Sequence, residues 1–162
     1  MTNLNLGCGE MILDDYINCD LYNPKADIIN DARVLPYGDN SIDKIYASHL
    51  IEHFDFKEAF NVLNEWKRCL KVDGILDIET PDLLASCKKF VNISEQERVN
   101  MYSHFFSEPW VEGQVHKFLY TPNQMKWTLD QVGFRDIKQE PAKCYIDRED
   151  ICMRFVCRKI GV

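Results

Sequence analysis

The chain has 162 residues, a length that fits one domain with a sizeable core. Its composition is that of a globular protein, and no apolar run approaches the roughly 20 residues needed to span a bilayer. The net charge of −7 and the scattered basic residues argue against a general nucleic-acid surface, which needs clustered lysine and arginine.

Cysteine usage and targeting signals indicate the compartment. The seven cysteines are an odd set without a C-x-x-C pair, which indicates reduced thiols and argues against a disulfide framework or a zinc knuckle. Nothing resembles a signal peptide. We therefore expect a cytoplasmic protein with no membrane partner.

Strand signals dominate the first half of the chain. Five short segments are rich in strand-forming residues and are bounded by Gly, Pro, Asp or Asn. These segments are 3–7, 16–22, 26–31, 42–48 and 74–80. Their spacing predicts a mostly parallel sheet. Between the fourth and fifth segments, apolar residues recur at helical spacing after a capping-box-like start at Asp55 and Glu58, so a crossover helix is predicted there.

The last third of the chain predicts a helix followed by a hairpin. In residues 121–133, Thr121 can cap the helix and Gly133 can end it. The strand-like segments 134–140 and 150–159 follow and predict a terminal antiparallel hairpin. We expect an α/β fold in a single domain, with a doubly wound, mostly parallel seven-stranded sheet that ends in this hairpin.

Glycines and acids follow the first three predicted strands. Ligands of doubly wound sheets bind beyond the carboxyl ends of the strands. The segment LNLGCG puts Gly7 and Gly9 there, where the missing Cβ atoms let a ligand lie against the backbone. Asp20 and Asp31 end the second and third segments. Each acid is alternatively a turn former or a helix cap, but two such acids after a glycine turn favour a ligand site.

A dinucleotide site is the first alternative for this ligand. Its fingerprint is G-x-G-x-x-G, and Ile12 occupies the third glycine position. Only residues 7–15 separate the first two strands, too few for a long helix whose N-terminus would hold a pyrophosphate. A nucleoside without phosphates, such as S-adenosylmethionine, fits better. Asp20 would accept both ribose hydroxyls, and Asp31 and the Ala32 amide would contact the adenine.

The segments LNLGCG, YINCDLY, ADIINDARVLPYGDNSIDKIYASHLIEHF and EWKRCLKVDGILDIETPD resemble the class I S-adenosylmethionine-dependent methyltransferases, particularly small ones with a methyltransferase-type-11-like domain. The resemblance covers roughly residues 3–82 and implies a Rossmann-like methyltransferase fold with S-adenosylmethionine as cofactor. The family usually has a fuller helix after the glycine turn than this chain allows. The residues that the resemblance assigns to the cofactor are Asn5, Gly7, Cys8, Gly9, Asp20, Leu21, Asp31, Ala32, Ser48 and His49.

Histidine is the residue type best suited to the proton transfer. Methyl transfer is an in-line displacement that depends on alignment, and a neutral nucleophile must also lose a proton. Of the four histidines, His49 at the fourth strand tip and His116 are the predicted catalytic residues. His53 follows in HLIEH, which lacks the order of the H-E-x-x-H zinc motif, so no metal is predicted. A hydrogen-bonded histidine at a helix start is its alternative role.

An aromatic-rich stretch precedes the capped helix. Residues 91–120 have no clean strand period, and they are predicted to form an inserted substrate cover, with an ordinary helical packing layer as the alternative. In a cover, His104 and His116 become candidates for substrate contact or proton acceptance.

The sequence narrows the class of methyl acceptor by excluding one group of substrates. Enzymes that methylate base amines typically carry Asn or Asp before Pro-Pro and an aromatic residue after the fourth strand, whereas this chain has ASHLIEH. We expect a small polar acceptor, with oxygen weakly preferred over nitrogen, and no nucleic-acid substrate. A non-catalytic cofactor-binding partner subunit is the alternative, and an NAD-type dinucleotide-binding protein is less favoured. The oligomeric state stays open.

Overall fold

The computed structural model describes residues 1–108, 110–143 and 148–161. Cys144, one of the seven cysteines of the sequence, lies outside these residues, and the other six are free thiols. No helix within the described part of the chain is long and apolar enough to cross a membrane.

The described residues form one sheet of seven strands. In chain order they are β1 (Asn3–Leu6), β2 (Ile17–Asp20), β3 (Ile28–Ile29), β4 (Ile42–Ser48), β5 (Leu70–Pro81), β6 (Phe134–Glu140) and β7 (Cys152–Lys159). In space the order is β3-β2-β1-β4-β5-β7-β6. Strands β1 to β5 are parallel, and β7 is antiparallel to both β5 and β6. The predicted fold class is confirmed, and the chain changes direction across the sheet between β1 and β4.

Four α-helices accompany the sheet in the described residues. They are α1 (Phe56–Cys69), α2 (Leu83–Asn92), α3 (Glu95–Phe106) and α4 (Pro122–Val132). The predicted helix starts are confirmed, because the Asp55 and Thr121 side chains accept hydrogen bonds from backbone amides of the first turns of α1 and α4. Gly133 ends α4 in the left-handed conformation, with φ of 94°.

The structure corrects several predicted boundaries. Leu70 begins β5, so this strand starts four residues before the predicted segment 74–80. Within segment 26–31 only Ile28 and Ile29 pair as a strand. Helix α2 has no counterpart in the prediction, and α3 lies within residues 91–120, for which a helical packing layer was the predicted alternative. Asp82 caps α2, and Ser94 with Glu97 forms a capping box on α3.

The core fixes the turn that follows β3. Trp66 of α1 is fully buried against the sheet, and its indole N–H donates to the Ala32 carbonyl over 2.9 Å. Because a buried indole N–H needs an acceptor, this bond holds the segment after β3 in place. Residues 31 and 32 are thereby positioned at the carboxyl edge of the sheet.

A buried ion cluster joins three strands of the sheet. Asp77 of β5 is 3% exposed and accepts two hydrogen bonds from Arg154 of β7, at 2.7 and 2.9 Å. Lys44 of β4 lies 3.1 Å from the same carboxylate. Burial raises the pKa of Asp77, but Arg154 and Lys44 outweigh it and the net pKa is lowered. The Asp77 carboxylate is therefore ionised inside the sheet.

Candidate functional site

The glycine turn after β1 brings the backbone to the edge of a cavity. Gly7 has φ of 62°, and a Cβ there would lie 2.7 Å from Leu50 Cδ1. The positive φ favours glycine, and a Cβ at this position would require the Leu50 side chain to shift. The Cys8 side chain is buried, and burial, with a smaller effect of Asp20, raises its pKa to about 11. Cys8 is therefore a neutral thiol that lines the cavity.

Two buried asparagines replace the helix that usually follows such a turn. Asn18 accepts from the Leu13 amide at 2.9 Å and donates to the Leu13 carbonyl at 3.1 Å. Asn5 donates to Asn18 Oδ1 at 2.9 Å and to the Met11 carbonyl at 2.7 Å. These bonds satisfy the loop backbone without helical turns. Asn5, which the resemblance assigned to the cofactor, lies under this loop and is not among the lining residues of the cavity.

Asp20 holds the glycine turn from the tip of β2. Its Oδ2 accepts from the Gly9 amide at 2.9 Å, and its Oδ1 accepts from the amides of Tyr22 and Asn23, both at 2.8 Å. Two carboxylate oxygens offer about four acceptor positions. The carboxylate is thus fixed in orientation and keeps acceptor capacity for a further donor.

Asp31 lies at the next strand end and is engaged by an arginine. Its Oδ1 accepts from the Arg33 amide at 2.9 Å, and the Arg33 guanidinium lies 3.1 Å from both carboxylate oxygens. The same guanidinium donates to Glu58 at 2.6 Å and lies over the Phe54 ring. This network fixes the wall of the cavity beyond β3.

A cavity of about 360 Å³ lies at the carboxyl ends of β1, β2 and β4. Its volume falls within the range of roughly 300–1,000 Å³ that ligand pockets have. The structure brings together here nine of the ten residues that the resemblance assigned to the cofactor, all except Asn5. They are Gly7, Cys8, Gly9, Asp20, Leu21, Asp31, Ala32, Ser48 and His49.

His49 follows β4 in a conformation that is uncommon for histidine. Its φ is 53°, in the left-handed region that disfavours side chains with a Cβ. Its amide donates to the Glu79 carbonyl at 2.9 Å, and its Nδ1 lies 3.1 Å from Glu52 Oε1. A carboxylate only accepts, so Nδ1 carries the proton and neutral His49 has its lone pair on Nε2. Cys152 Sγ lies 3.7 Å from that Nε2.

Glu52 is the centre of a histidine cluster, which consists of Glu52 with His49, His53 and His116. The Glu52 side chain is fully buried, and its Oε2 accepts from the Thr80 hydroxyl at 3.0 Å. His116 Nε2 lies 4.0 Å from Oε1, and the rings of His53 and His116 meet edge to face with centroids 5.0 Å apart. The sequence analysis did not single out Glu52.

The members of the cluster differ in their protonation state at neutral pH. Burial raises the pKa of Glu52, but the hydrogen bond and charge of His49, with smaller effects of the other two histidines, outweigh it and lower this pKa to about 2. Burial lowers the pKa of His116, and the attraction of Glu52 does not overcome it. At neutral pH the cluster therefore holds an ionised carboxylate beside a neutral His116.

A second cavity of about 140 Å³ adjoins the first and is lined by all four histidines of the chain. His49, His53 and Gln114 line both cavities, so they mark the junction. The remaining lining residues of the smaller cavity are Pro81, Ser103, His104, Ser107, His116 and Arg148.

His104 ties α3 to α2 as well as lining this cavity. Ser86 Oγ donates to the Asp82 carbonyl at 2.6 Å and lies 2.7 Å from His104 Nε2. Since the hydroxyl has one proton, Nε2 is the donor in the second bond. Burial lowers the pKa of His104 to about 4, with Arg148 adding to the effect, so the ring is neutral at physiological pH.

The segment after α3 lies over both cavities. The amides of Lys117 and Phe118 donate to the Glu52 carbonyl at 2.8 and 3.2 Å. At Gly113, where φ is 81°, a Cβ would lie 2.3 Å from the Tyr22 ring. This close approach joins the segment to the loop after β2, on the far side of the larger cavity. Residues 113–115 and 117 contribute to the wall of that cavity.

One set of side chains has the composition of a metal site. Candidate ligand atoms of Glu52, His53 and His116 lie within 4.8 Å of one another. The carboxylate of this set is already bonded to His49 and Thr80. The HLIEH spacing alone led to the prediction of no metal, whereas the structure adds His116 from a distant segment, and that prediction stays untested.

Comparison with known proteins shows which class of protein this chain resembles. A family model described as a methyltransferase domain matches residues 18–78. The fold is similar to that of an S-adenosylmethionine-dependent methyltransferase from Archaeoglobus fulgidus, with a TM-score of 0.65 and 20% identity over 98% of this chain and 86% of that chain. No curated protein matches the sequence.

Two further solved structures share the fold at lower identity. One is a chain in the complex of the Haloferax volcanii Trm112 methyltransferase activator with a methyltransferase, with a TM-score of 0.64 and 14% identity over 99% of this chain and 83% of that chain. The other is phosphoethanolamine N-methyltransferase 2 of Haemonchus contortus, with a TM-score of 0.59 and 14% identity over 99% of this chain and 49% of that chain. The second was solved with phosphomonomethylethanolamine and S-adenosylhomocysteine.

The described residues have the fold of solved S-adenosylmethionine-dependent methyltransferases, and residues 18–78 match a methyltransferase domain. The match to a methyltransferase domain supports the predicted cofactor, S-adenosylmethionine.

Proposed function

We propose that this enzyme methylates a small polar acceptor, with oxygen weakly preferred over nitrogen, and that the two adjoining cavities divide the work. The larger cavity would hold the cofactor and the smaller one the acceptor. The observation that carries this proposal is the junction at His49, His53 and Gln114, which line both cavities. Two ligands seated on either side of these residues would be neighbours, as an in-line displacement requires.

The residues of the larger cavity fit S-adenosylmethionine in chemistry. Gly7 lets the backbone approach a ligand closely, and Asp20 offers an oriented carboxylate that suits ribose hydroxyls. Asp31 and Ala32 line the same cavity and would contact the adenine. No helix starts at the glycine turn in the described residues, so this turn lacks the anion site that a pyrophosphate needs. The bound cofactor supplies an activated methyl group.

His49 would accept the proton that the acceptor loses. Its Nδ1–H is held by the ionised Glu52, which leaves the lone pair on Nε2 and stabilises the imidazolium that forms. The left-handed backbone of His49 positions this ring at the end of β4. His116, neutral at physiological pH, is the second catalytic candidate and would contact the acceptor from the other wall. The weak preference for an oxygen acceptor depends on the presence of these two histidine bases.

The same proposal gives a role to residues 91–120 within a single domain of residues 1–162. They would cover the acceptor and exclude water, since α3 and the following segment supply His104 and His116 to the smaller cavity. The bonds from Lys117 and Phe118 to Glu52 connect this cover to the catalytic cluster. The helical packing layer that the sequence left as an alternative describes the same residues, because α3 packs through Met101 and His104.

Calorimetric titration with S-adenosylmethionine and S-adenosylhomocysteine tests the cofactor site. Formation of S-adenosylhomocysteine with a panel of small alcohols, acids and amines tests turnover. His49→Asn keeps a residue type that tolerates a positive φ but removes the base. We expect turnover to fall about 10²–10⁴-fold with little change in cofactor affinity. Gln131→Ala, on the exposed face of α4, is the control and should match the wild type.

Three results would contradict the proposal. Folded protein that binds neither cofactor form has no such site. Equal rates for wild type and His49→Asn would remove His49 from the mechanism. Binding without turnover on any acceptor would favour the non-catalytic partner subunit.

A further inference from the structure

Arg148 gives the smaller cavity a permanent positive charge. Its side chain lines the cavity together with four histidines, two serines, Gln114 and Pro81, and no carboxylate is among these described lining residues. An arginine stays protonated at every physiological pH. Glu52, whose partners His49 and His116 line this cavity, is buried behind the wall and already bonded to His49 and Thr80.

The other arginines of the chain show how unusual an arginine without a carboxylate partner is in this protein. Five of the seven arginines form ion pairs with carboxylates, and Arg158 is exposed and donates to the Asp73 carbonyl. Across residues 1–108, 110–143 and 148–161, no carboxylate forms an ion pair with Arg148, although the chain has a net charge of −7. The paired arginines are Arg33, Arg68, Arg98, Arg135 and Arg154.

The backbone holds Arg148 in place at the cavity. It precedes a short 3₁₀ turn at Glu149–Ile151, and the Ile151 amide donates to the Arg148 carbonyl at 3.0 Å. The Ile151 carbonyl accepts from the Asp82 amide at 2.8 Å, at the start of α2. Asp82 in turn caps α2 with its side chain. Arg148 is therefore anchored to the end of β5, beside the junction of the two cavities.

Two histidines that line the smaller cavity do not add to its charge. His104 and His116 are held neutral by burial, so Arg148 provides the positive charge of this cavity. A volume of about 140 Å³ accommodates on the order of ten water-sized groups, enough for a small organic anion. Guanidinium groups bind carboxylates and phosphates through two parallel hydrogen bonds.

We propose that the methyl acceptor carries an anionic group, a carboxylate or a phosphate, which Arg148 binds in the smaller cavity. This inference rests on the proposed function, since it identifies the substrate class of the same site. The charge at Arg148 selects acceptors with an anionic group over neutral analogues of equal shape. An acceptor anchored there extends toward His49 and Gln114 at the junction.

Anion binding is measured apart from methyl transfer. Acetate, its neutral analogue acetamide, and inorganic phosphate are titrated separately into protein saturated with S-adenosylhomocysteine, with the His104 and His116 ring signals followed by NMR. Acetate or phosphate should shift these signals, and acetamide should not. Whichever of the two anions binds more tightly identifies the anionic group. The same titrations without S-adenosylhomocysteine show whether the anion site exists even if cofactor binding, and with it the proposed function, fails.

Variants separate Arg148 from general surface charge. Arg148→Gln should weaken anion binding at least about tenfold, because a charge-assisted hydrogen bond is lost. Arg148→Lys should retain part of the affinity, and Arg158→Gln, the matched control on β7, should leave it unchanged. Thermal unfolding verifies that each variant is folded. Equal binding of acetate and acetamide, binding of neither anion, or equal affinities of Arg148→Gln and wild type would each overturn the proposal.

Discussion

Replacing Glu52 by Gln tests whether the histidine cluster depends on a buried negative charge. The two side chains have the same shape, and the Gln amide oxygen can still accept from His49 Nδ1. Thr80 can accept from the Gln amide group in place of donating to Oε2. The substitution therefore removes the charge and preserves most of the contacts. The free energy of unfolding should fall for electrostatic reasons.

The magnitude follows from the pKa of this carboxyl group. Folding lowers it from an ordinary value of 4.5 to about 2. Each pKa unit corresponds to about 1.36 kcal/mol, so the ionised Glu52 contributes about 3 kcal/mol to stability at neutral pH. Because the folded pKa is the lower one, this contribution is present above pH 4.5 and is lost as the pH falls towards 2. About three-fifths of it is gone at pH 3.

Urea unfolding of wild type and Glu52→Gln at pH 7 and pH 3 measures this contribution. At pH 7 the variant should be less stable by about 3 kcal/mol, which corresponds to a melting temperature roughly 6–12 °C lower. At pH 3 the difference should shrink to about 1 kcal/mol. Groups that titrate equally in both proteins cancel in the comparison. Glu140→Gln, at an exposed position of β6, should differ from the wild type by less than about 0.5 kcal/mol at either pH.

The reasoning fails if the two proteins differ by the same amount at both pH values, or by less than about 1 kcal/mol at pH 7. Either outcome would mean that the Glu52 pKa is not depressed in the folded protein. Turnover gives an independent readout. In the proposed mechanism Glu52 acts through His49, so its substitution should lower kcat and shift the pH profile of the reaction while cofactor affinity stays near that of the wild type.

Three further substitutions test the scaffold of the site. Gly7→Ala should cost about 1–2 kcal/mol, because φ is positive and the new Cβ would lie against Leu50; it should also weaken S-adenosylhomocysteine binding in calorimetry. Asp77→Asn should cost about 3–5 kcal/mol in urea unfolding, since it leaves two cations without their buried partner; unchanged cofactor affinity is expected, and a loss below 1 kcal/mol would contradict this account. Asn18→Ala should cost about 2–3 kcal/mol and speed amide hydrogen exchange at Leu13, which loses its acceptor; unaltered exchange would show that the loop is held otherwise.

Local signals in the sequence predicted much of the fold. The Asp55 and Thr121 caps and the Gly133 stop are contacts within one turn of chain, so residue types at fixed spacing reveal them. The glycine turn and Asp20 follow parallel strands whose ends meet at one edge, and this is why nine residues that line the larger cavity could be named in advance. The bounds of helix α3 were not predicted within residues 91–120, because its exposed Val99, Tyr102 and Phe106 obscure the helical periodicity.

Only the tertiary structure revealed the smaller cavity and the residues that line it. His49 and His116 are 67 positions apart in the sequence, and no local pattern indicates that both face Glu52. Arg148 reaches the same cavity through the bonds of Ile151 to the start of α2, which are long-range contacts. Asn5 was predicted to bind the cofactor, whereas in the structure this residue of the first strand supports the loop from beneath and is not among the lining residues of the larger cavity. The sequence by itself determined the strands, the caps and the residues at strand ends, since these follow from neighbours along the chain. The burial that sets the charge of Glu52, His104 and His116 depends on which distant segments pack together, and that exists only in the folded protein.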